Sequence, residues 1–318
     1  MINQSAQPEA NPATRPKVSV IIPTYNGAPW LDQVLSKLLA QTWPPDEILV
    51  VDSGSTDATL TIVRNHAVRL LQIPQEQFDH GGTRSMAIQQ VVGEIIVFLT
   101  QDAIPADDQA LVKLLQPFQE NRAIAATYGR QLPNADAHPI SAHLRLFNYP
   151  EQGSVRCLED RERFGFKTIF ISNSFAAYER KALEDVGFFP ARLLFGEDTY
   201  TVAKLLDLGY CVQYVSGATV YHSHNYSPWQ DFQRYFDIGV FHACAWDVLG
   251  QFGTPAGAGT RFLRSEARYL LKRKAYLLVV QSVVRNGLKM VAYALGRRHT
   301  LLPRRLARSL SMHPRWWN

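Results

Sequence analysis

Two stretches near the start decide the fold: Val18-Ser-Val-Ile-Ile-Pro-Thr-Tyr-Asn26 and Val50-Val-Asp-Ser-Gly-Ser-Thr-Asp57. Each is an apolar run that stops at polar, turn-forming residues. A short continuous apolar run bounded in this way reads as a strand buried on both faces. The first strand is taken as Val18 to Pro23 and the second as Ile48 to Val51. Between them Trp30, Leu31, Val34, Leu35, Leu38 and Leu39 recur at helical spacing, so they form one apolar helix face. The pattern then repeats. Ser55-Thr56-Asp57 supplies capping side chains for a helix from Asp57. Arg69 to Ile73 is a third strand, Thr83 to Val92 a helix, Ile95 to Leu99 another buried strand, and Ala110 to Phe118 another helix. Strands alternating with helices predict an α/β fold with a mostly parallel sheet covered on both faces. Residues 130–170 give no clear period.

Ligands of open parallel sheets bind beyond the carboxyl ends of the strands. Those ends carry Thr24-Tyr25-Asn26-Gly27, then Asp52-Ser53-Gly54-Ser55-Thr56-Asp57, then Thr100-Gln101-Asp102-Ala103. A turn or a cap explains each alone, and Asp57 is read mainly as a cap. Three polar ends on one edge, two of them acid-bearing, point to a ligand. There is no GxGxxG and no GxxxxGK[ST], which argues against a dinucleotide dehydrogenase and a P-loop enzyme. Carboxylates bind phosphate only through a cation, and oxygen-rich sites suit Mg²⁺ or Mn²⁺. The residues therefore predict a metal-dependent enzyme acting on a phosphorylated or nucleotide ligand.

The chain has 318 residues and a formal net charge of +5, with 46% hydrophobic residues, an ordinary globular composition. Residues 249–318 hold fourteen Lys/Arg against one acid, Glu266, so this end is +13 and the rest is −8. Such a split predicts a separate basic appendage after the catalytic unit at 17–248. Residues 1–16 are polar and rich in Pro, Ala and Asn, and read as a disordered tail. Cys157, Cys211 and Cys244 lie far apart, so neither a disulfide framework nor a cysteine zinc site is expected, and a reducing compartment fits best. No apolar stretch of about eighteen uncharged residues occurs, so no transmembrane helix is expected.

In order and at this spacing, the two opening blocks resemble glycosyltransferase family 2, whose fold is the Rossmann-like GT-A fold. Phe78-Asp-His-Gly-Gly-Thr-Arg84, Phe98-Leu-Thr-Gln-Asp-Ala-Ile-Pro105, Phe195-Gly-Glu-Asp198 and Tyr221-His-Ser-His-Asn-Tyr-Ser227 are similar to bacterial rhamnosyltransferases that build O-antigens from dTDP-L-rhamnose. The resemblance spans roughly residues 17 to 245. It implies that Pro23, Thr24, Tyr25, Asn26 and Asp52 line the nucleotide base. A carboxylate such as Asp52 can accept from N3–H of uracil or thymine; the plainer reading is that it caps its turn.

Gly81 and Arg84 belong to a glycine-opened loop entering a helix, read as a close backbone approach and a phosphate contact. His80 is balanced between ligand and structure. Asp102 sits where the family carries its metal-binding acids, but Gln101-Asp102-Ala103 lacks the outer acids. His222 is the expected second metal ligand, with His224 as alternate, and imidazole makes Mn²⁺ slightly more natural than Mg²⁺. Glu197 and Asp198 open a helix from Thr199 to Leu208, where acids are favoured anyway. The resemblance makes Asp198 the general base of an inverting transfer and Glu197 an acceptor-binding neighbour. Phe195, Tyr226 and Trp229 are possible sugar-stacking rings, though core is the commoner role.

In the tail, Tyr276-Leu-Leu-Val-Val280 and Leu288 to Leu295 are apolar but interrupted by Arg285, Asn286 and Lys289. With flanking cations and Trp316-Trp317, this predicts helices lying on an anionic membrane. The expected protein is a peripheral enzyme of the cytoplasmic face, using a nucleotide-sugar donor and a lipid-linked saccharide acceptor. Nucleic acid is not an expected partner. A UDP-sugar hexosyltransferase is one alternative; a non-catalytic sugar-nucleotide or membrane-binding protein is another.

Overall fold

The apolar runs form the middle of one sheet. In the computed structural model, which describes residues 15–253 and 258–318, Val18–Thr24 (β1), Glu47–Asp52 (β2), Arg69–Gln72 (β3) and Ile95–Leu99 (β4) lie parallel in the order β3-β2-β1-β4. The remaining strands are Ile104–Pro105 (β5), Ile124–Leu132 (β6), Ser154–Arg156 (β7), Phe175–Glu179 (β8) and Cys211–Tyr221 (β9). The sheet continues from β4 through β8, β6 and β9 to β5, with β7 also on β9. Here β8 runs antiparallel to both β4 and β6, and β5 and β7 antiparallel to β9. The sheet is therefore mixed: β3-β2-β1-β4 are parallel and so are β6 and β9, with β8 antiparallel between them, so the expected mostly parallel sheet holds for the larger part of the pairing.

Helices cover both faces, because β1 turns alternate residues to opposite sides. Val20 and Ile22 meet Leu31, Leu35 and Leu111 of Ala28–Leu39 (α1) and Ala110–Glu120 (α4). Ile21 faces the other core, with Ile88 of His80–Ile88 (α3), Leu183 of Arg180–Asp185 (α7) and Leu206 of Glu197–Asp207 (α8). On α1, Trp30 and Leu39 remain exposed, so its buried stripe is narrower than the spacing predicts. Thr59–Arg64 (α2) starts just after Asp57, whose carboxylate accepts from the Thr59 N–H at 3.0 Å and the Ala28 N–H at 3.2 Å. Asp57 thus ties two helix starts together, the capping role read for it.

The stretch without clear period folds around β6, with Pro139–Asn148 (α5), β7 and Arg161–Phe164 (α6). The register of antiparallel β7 and β9 puts Cys157 opposite Cys211, with Cα atoms 4.4 Å apart, and the two form a disulfide. This corrects the reading of the cysteines: the sheet closes a separation of 54 residues that spacing alone cannot close, and the cysteines no longer argue for a reducing compartment. Cys244 is free.

The C-terminal part is helical: Pro228–Cys244 (α9), Trp246–Leu249 (α10), Ala258–Lys272 (α11), Tyr276–Arg297 (α12) and Arg304–Leu310 (α13). The two apolar tail segments are one helix, α12. It lies against α9, where a Cβ on Gly296 would collide with the Phe236 carbonyl. The expected disordered tail lies outside the described residues except for Arg15 and Pro16.

Candidate active site

The ends of β1, β2 and β4 build one edge. Gln101, just past β4, clamps the turn after β1: its Oε1 accepts from Thr24 Oγ1 at 2.5 Å and from the Tyr25 N–H at 2.8 Å, and its Nε2 donates to the Tyr25 carbonyl at 3.1 Å. Asn26 takes a left-handed backbone, φ 49°, and its Oδ1 accepts from the Thr56 N–H at 2.9 Å. Thr24 is buried, whereas Tyr25 is exposed. Pro23 stays in the strand, paired with Val51. Asp52 is 0% exposed; its Oδ2 accepts from the Gly54 and Ser55 N–H groups, both at 3.0 Å, and its Oδ1 from the Ser55 hydroxyl. Three of its roughly four acceptor sites are used within its own turn, so its first role is to shape this edge.

Asp102 follows directly. Its Oδ1 lies 3.4 Å from His222 Nε2, and its Oδ2 3.8 Å from His224 Nδ1. The possible ligand atoms of all three residues lie within 4.8 Å of one another. Both histidines are therefore brought to the acid, because residues i and i+2 after β9 point the same way. Burial alone would raise the Asp102 carboxyl, but the His222 hydrogen bond and the two imidazoles hold it well below the ordinary range. Burial, reinforced by His222, pushes His224 down to about 4, so it is neutral at physiological pH. His222 Nδ1 lies 2.9 Å from Gln131 Oε1, an acceptor, which fixes the orientation of the ring beside Asp102. One carboxylate and two imidazoles form a donor set that fits a divalent cation.

Glu197 and Asp198 open α8, yet their surroundings differ. Glu197 is buried; Arg84 Nη1 lies 3.0 Å from its Oε1, and Asn173 Nδ2 donates to the same oxygen at 3.2 Å. Burial acts against the Glu197 charge, but Arg84 and His80 outweigh it and keep the carboxyl low. Asp198 is half-buried, has no cation partner among the described residues, and accepts from the Asn173 N–H at 3.1 Å and the Thr199 N–H at 2.7 Å. Burial, followed by the Glu197 charge, pushes it up to about 6. Two neighbouring carboxyls held apart in this way mark one as a proton acceptor near neutral pH.

Two readings of the glycine-opened segment are corrected. Arg84 is not free for phosphate: it is 6% exposed, paired with Glu197, and donates to the His80 carbonyl at 2.8 Å. Gly81 is small because the loop before α8 packs on it; a Cβ there would strike the Pro190 carbonyl. His80 lies between Phe78 and His313, and burial holds its pKa down. Tyr226 stacks on His224 with ring centroids 5.2 Å apart, Trp229 on Phe232, also at 5.2 Å, and Phe195 packs on Phe241.

Three functional positions escape sequence reasoning. Gln131 orients His222 and donates to Ser172 at 3.0 Å, next to Asn173, which holds Glu197 and Asp198. This polar chain joins the Asp102–His222–His224 cluster to the acid pair. The third is Arg234 on α9. It is exposed, has no carboxylate partner among the described residues, and lies 5.9 Å from the ring centres of both Tyr226 and Phe195. Only its closeness to the Tyr221–Ser227 motif hinted at it.

Comparison with known proteins agrees with this geometry. Residues 19–187 match the family model described as Glycosyl transferase family 2. The O-antigen chain rhamnosyltransferase RfbN of Salmonella typhimurium is 41% identical over 304 residues, covering 95% of this chain and 96% of its own. The O-antigen chain rhamnosyltransferase WbaN of Salmonella anatum is 39% identical with the same coverage. The mannosyltransferase PcManGT of Pyrobaculum calidifontis, solved with GDP-Man and Mn²⁺, superposes with a TM-score of 0.61 at 20% identity, covering 92% of this chain and 90% of that one.

Proposed function

The chain belongs to glycosyltransferase family 2, and from that premise we propose that it transfers L-rhamnose from dTDP-β-L-rhamnose, with inversion, to a lipid-linked glycan of O-antigen type. The observation that carries this reading is the likeness to two O-antigen chain rhamnosyltransferases along almost the whole chain, C-terminal helices included. In this reading residues 17–248 form the catalytic unit and 249–318 a basic appendage. The enzyme works peripherally at the cytoplasmic face of a membrane, where a lipid-linked acceptor is confined.

The turn of Thr24, Tyr25 and Asn26, with the Ser53–Ser55 turn held by Asp52, receives the nucleotide base. Asp102, His222 and His224 hold Mn²⁺ or Mg²⁺; when bound, the cation offsets the charge that grows on the departing diphosphate. Arg234, rather than Arg84, supplies a free guanidinium for the same diphosphate. The acceptor hydroxyl attacks the anomeric carbon from the side opposite the diphosphate. As that bond forms and the carbon–oxygen bond to phosphate breaks, Asp198 takes the hydroxyl proton. Glu197, kept ionised by Arg84, keeps Asp198 basic through its charge and orders Asn173 beside it. The motif Gln101-Asp102-Ala103 lost its outer acids, and two histidines take their place; this weakens the case for a non-catalytic protein.

The test is thermal stabilisation by dTDP, UDP, GDP, CDP and dTDP-L-rhamnose, each with and without Mn²⁺ or Mg²⁺. A ligand at one hundred times its Kd adds about 2.7 kcal/mol. A cation-dependent shift selective for dTDP and its rhamnose ester is expected. A UDP-selective shift keeps the family and discards rhamnose, and no shift with any nucleotide removes the enzymatic reading.

A further inference from the structure

Helix α12 is built with its charges inside. Arg285 and Lys289 interrupt its apolar sequence, and an ordinary surface helix turns such residues to water. Here both are buried, 7% and 4% exposed. Both reach Asp231 on α9: Arg285 Nε at 3.0 Å and Lys289 Nζ at 3.4 Å from the same Oδ2. Ser282 and Asn286 also turn inward and bond Glu266 of α11.

The outer face is what remains. Leu277 is 87% exposed, Met290 69%, Val280 66%, Val283 63%, Val284 58% and Val291 54%. A contiguous exposed apolar band on a folded chain marks a contact surface. Valine is also a weak helix former, so a water-facing helix gains nothing from a row of them.

The charge around the band selects the partner. Lys272, Arg273 and Lys274 stand exposed before the helix, and Arg298, Arg304 and Arg305 after it. The one acid of residues 249–318, Glu266, is 0% exposed, so every exposed charge on this segment's described residues is positive. A second copy paired through the same face, in either orientation, would set cations against cations. A nucleic acid would leave the valines in water. A bilayer with anionic headgroups satisfies both parts at once.

We propose that the outer face of α12 docks on an anionic phospholipid bilayer, its apolar side chains in the headgroup–acyl boundary and the cations at both ends on lipid phosphates. The proposal rests on the peripheral reading above and is independent of the donor. The helix lies on the bilayer and does not cross it. No helix among the described residues is long and apolar enough to span a membrane, and Asp231 holds the inner face of α12 to α9.

The experiment is flotation of the full chain with vesicles of phosphatidylcholine alone and of phosphatidylcholine mixed with phosphatidylglycerol. Flotation with the anionic vesicles, weakened by salt, is expected. The double variant Leu277→Glu/Val284→Glu is expected to abolish it while keeping the Tm and the nucleotide-induced stabilisation. Replacing Lys272, Arg273 and Lys274 with Ala should weaken partitioning by about fivefold per residue. Wild-type protein that stays with the bulk at low salt overturns the proposal, as does a double variant that floats normally. So does a wild-type dimer, formed without lipid, that the double variant turns into a monomer. Failure of the donor reading appears elsewhere, as a missing nucleotide shift with flotation intact.

Discussion

Replacing Glu197 with Gln tests how Asp198 is made basic. The amide keeps the side chain's shape, and its oxygen still accepts from Arg84 and Asn173, now at 3.0 and 3.2 Å from Oε1. Only the charge leaves. Burial is the larger reason that Asp198 is pushed up to about 6, and it remains; the Glu197 charge is the second and is removed. Arg84, no longer neutralised, adds its pull in the same direction. A like charge a few ångströms away, at an effective dielectric near 20, is worth a few kcal/mol at most. One pH unit corresponds to about 1.4 kcal/mol, so a fall of about one to two units is expected. The assay is kcat/KM against pH at saturating cation. The wild-type rate is expected to fall as pH drops through about 6, where Asp198 takes up a proton. In Glu197→Gln this acid limb moves to lower pH, and the neutral plateau falls severalfold because the base is weaker. An acid limb that stays put or moves up refutes Asp198 as the titrating base. Asp198→Asn should remove the limb and lower kcat by about 10²- to 10⁴-fold, with nucleotide stabilisation retained.

Four further outcomes follow from the same geometry. Gln131→Ala frees the His222 ring and should weaken the cation-dependent nucleotide shift by about 10- to 100-fold in metal concentration; an unchanged titration detaches Gln131 from the cluster. Arg234→Ala removes a charged contact worth roughly 1.5–3 kcal/mol, so calorimetric Kd for the nucleoside diphosphate should rise about 10- to 100-fold; equal affinity assigns the diphosphate to other residues. Asp231→Ala strands the buried Arg285 and Lys289 and should cost about 3–5 kcal/mol in urea unfolding; a loss below about 1 kcal/mol contradicts the buried triad. His242, buried between Phe166 and Tyr293, is held down to about 4 by burial from an ordinary 6.5. Its neutral form is the folded one, so no cost arises above pH 6.5; as pH falls from there toward 4 the unfolded chain takes a proton that the folded chain refuses. Stability should drop by up to about 3 kcal/mol over that window, and His242→Phe should flatten the Tm profile.

The central strands and their polar ends are legible from residues 18 to 105 because they depend on local order. An apolar run closed by Thr24, Asp52 or Gln101 becomes a buried strand whose last residues reach the ligand edge, whatever lies farther along the chain. The same holds for the step of two between His222 and His224 after a strand, and for Glu197-Asp198 at a helix start. Chemistry was therefore visible where backbone geometry points a side chain.

What the tertiary structure alone decided is which groups are already taken. Arg84 and Glu197 lie far apart in sequence, and their pairing removes one from the phosphate and leaves Asp198 as the unpaired acid proposed to be the base. Asp52 holds its own turn with three hydrogen bonds, and Gly81 is packed by the Pro190 loop. Gln131, Asn173 and Arg234 are ordinary polar residues until the sheet and α9 bring them to the acids and the histidines. The register of β7 against β9 joins Cys157 to Cys211. On α12, composition predicted a membrane surface, but only packing against Asp231 showed that its cations point inward and its valines outward. Periodicity is a property of neighbours along the chain; the occupancy of a charge is a property of neighbours in space.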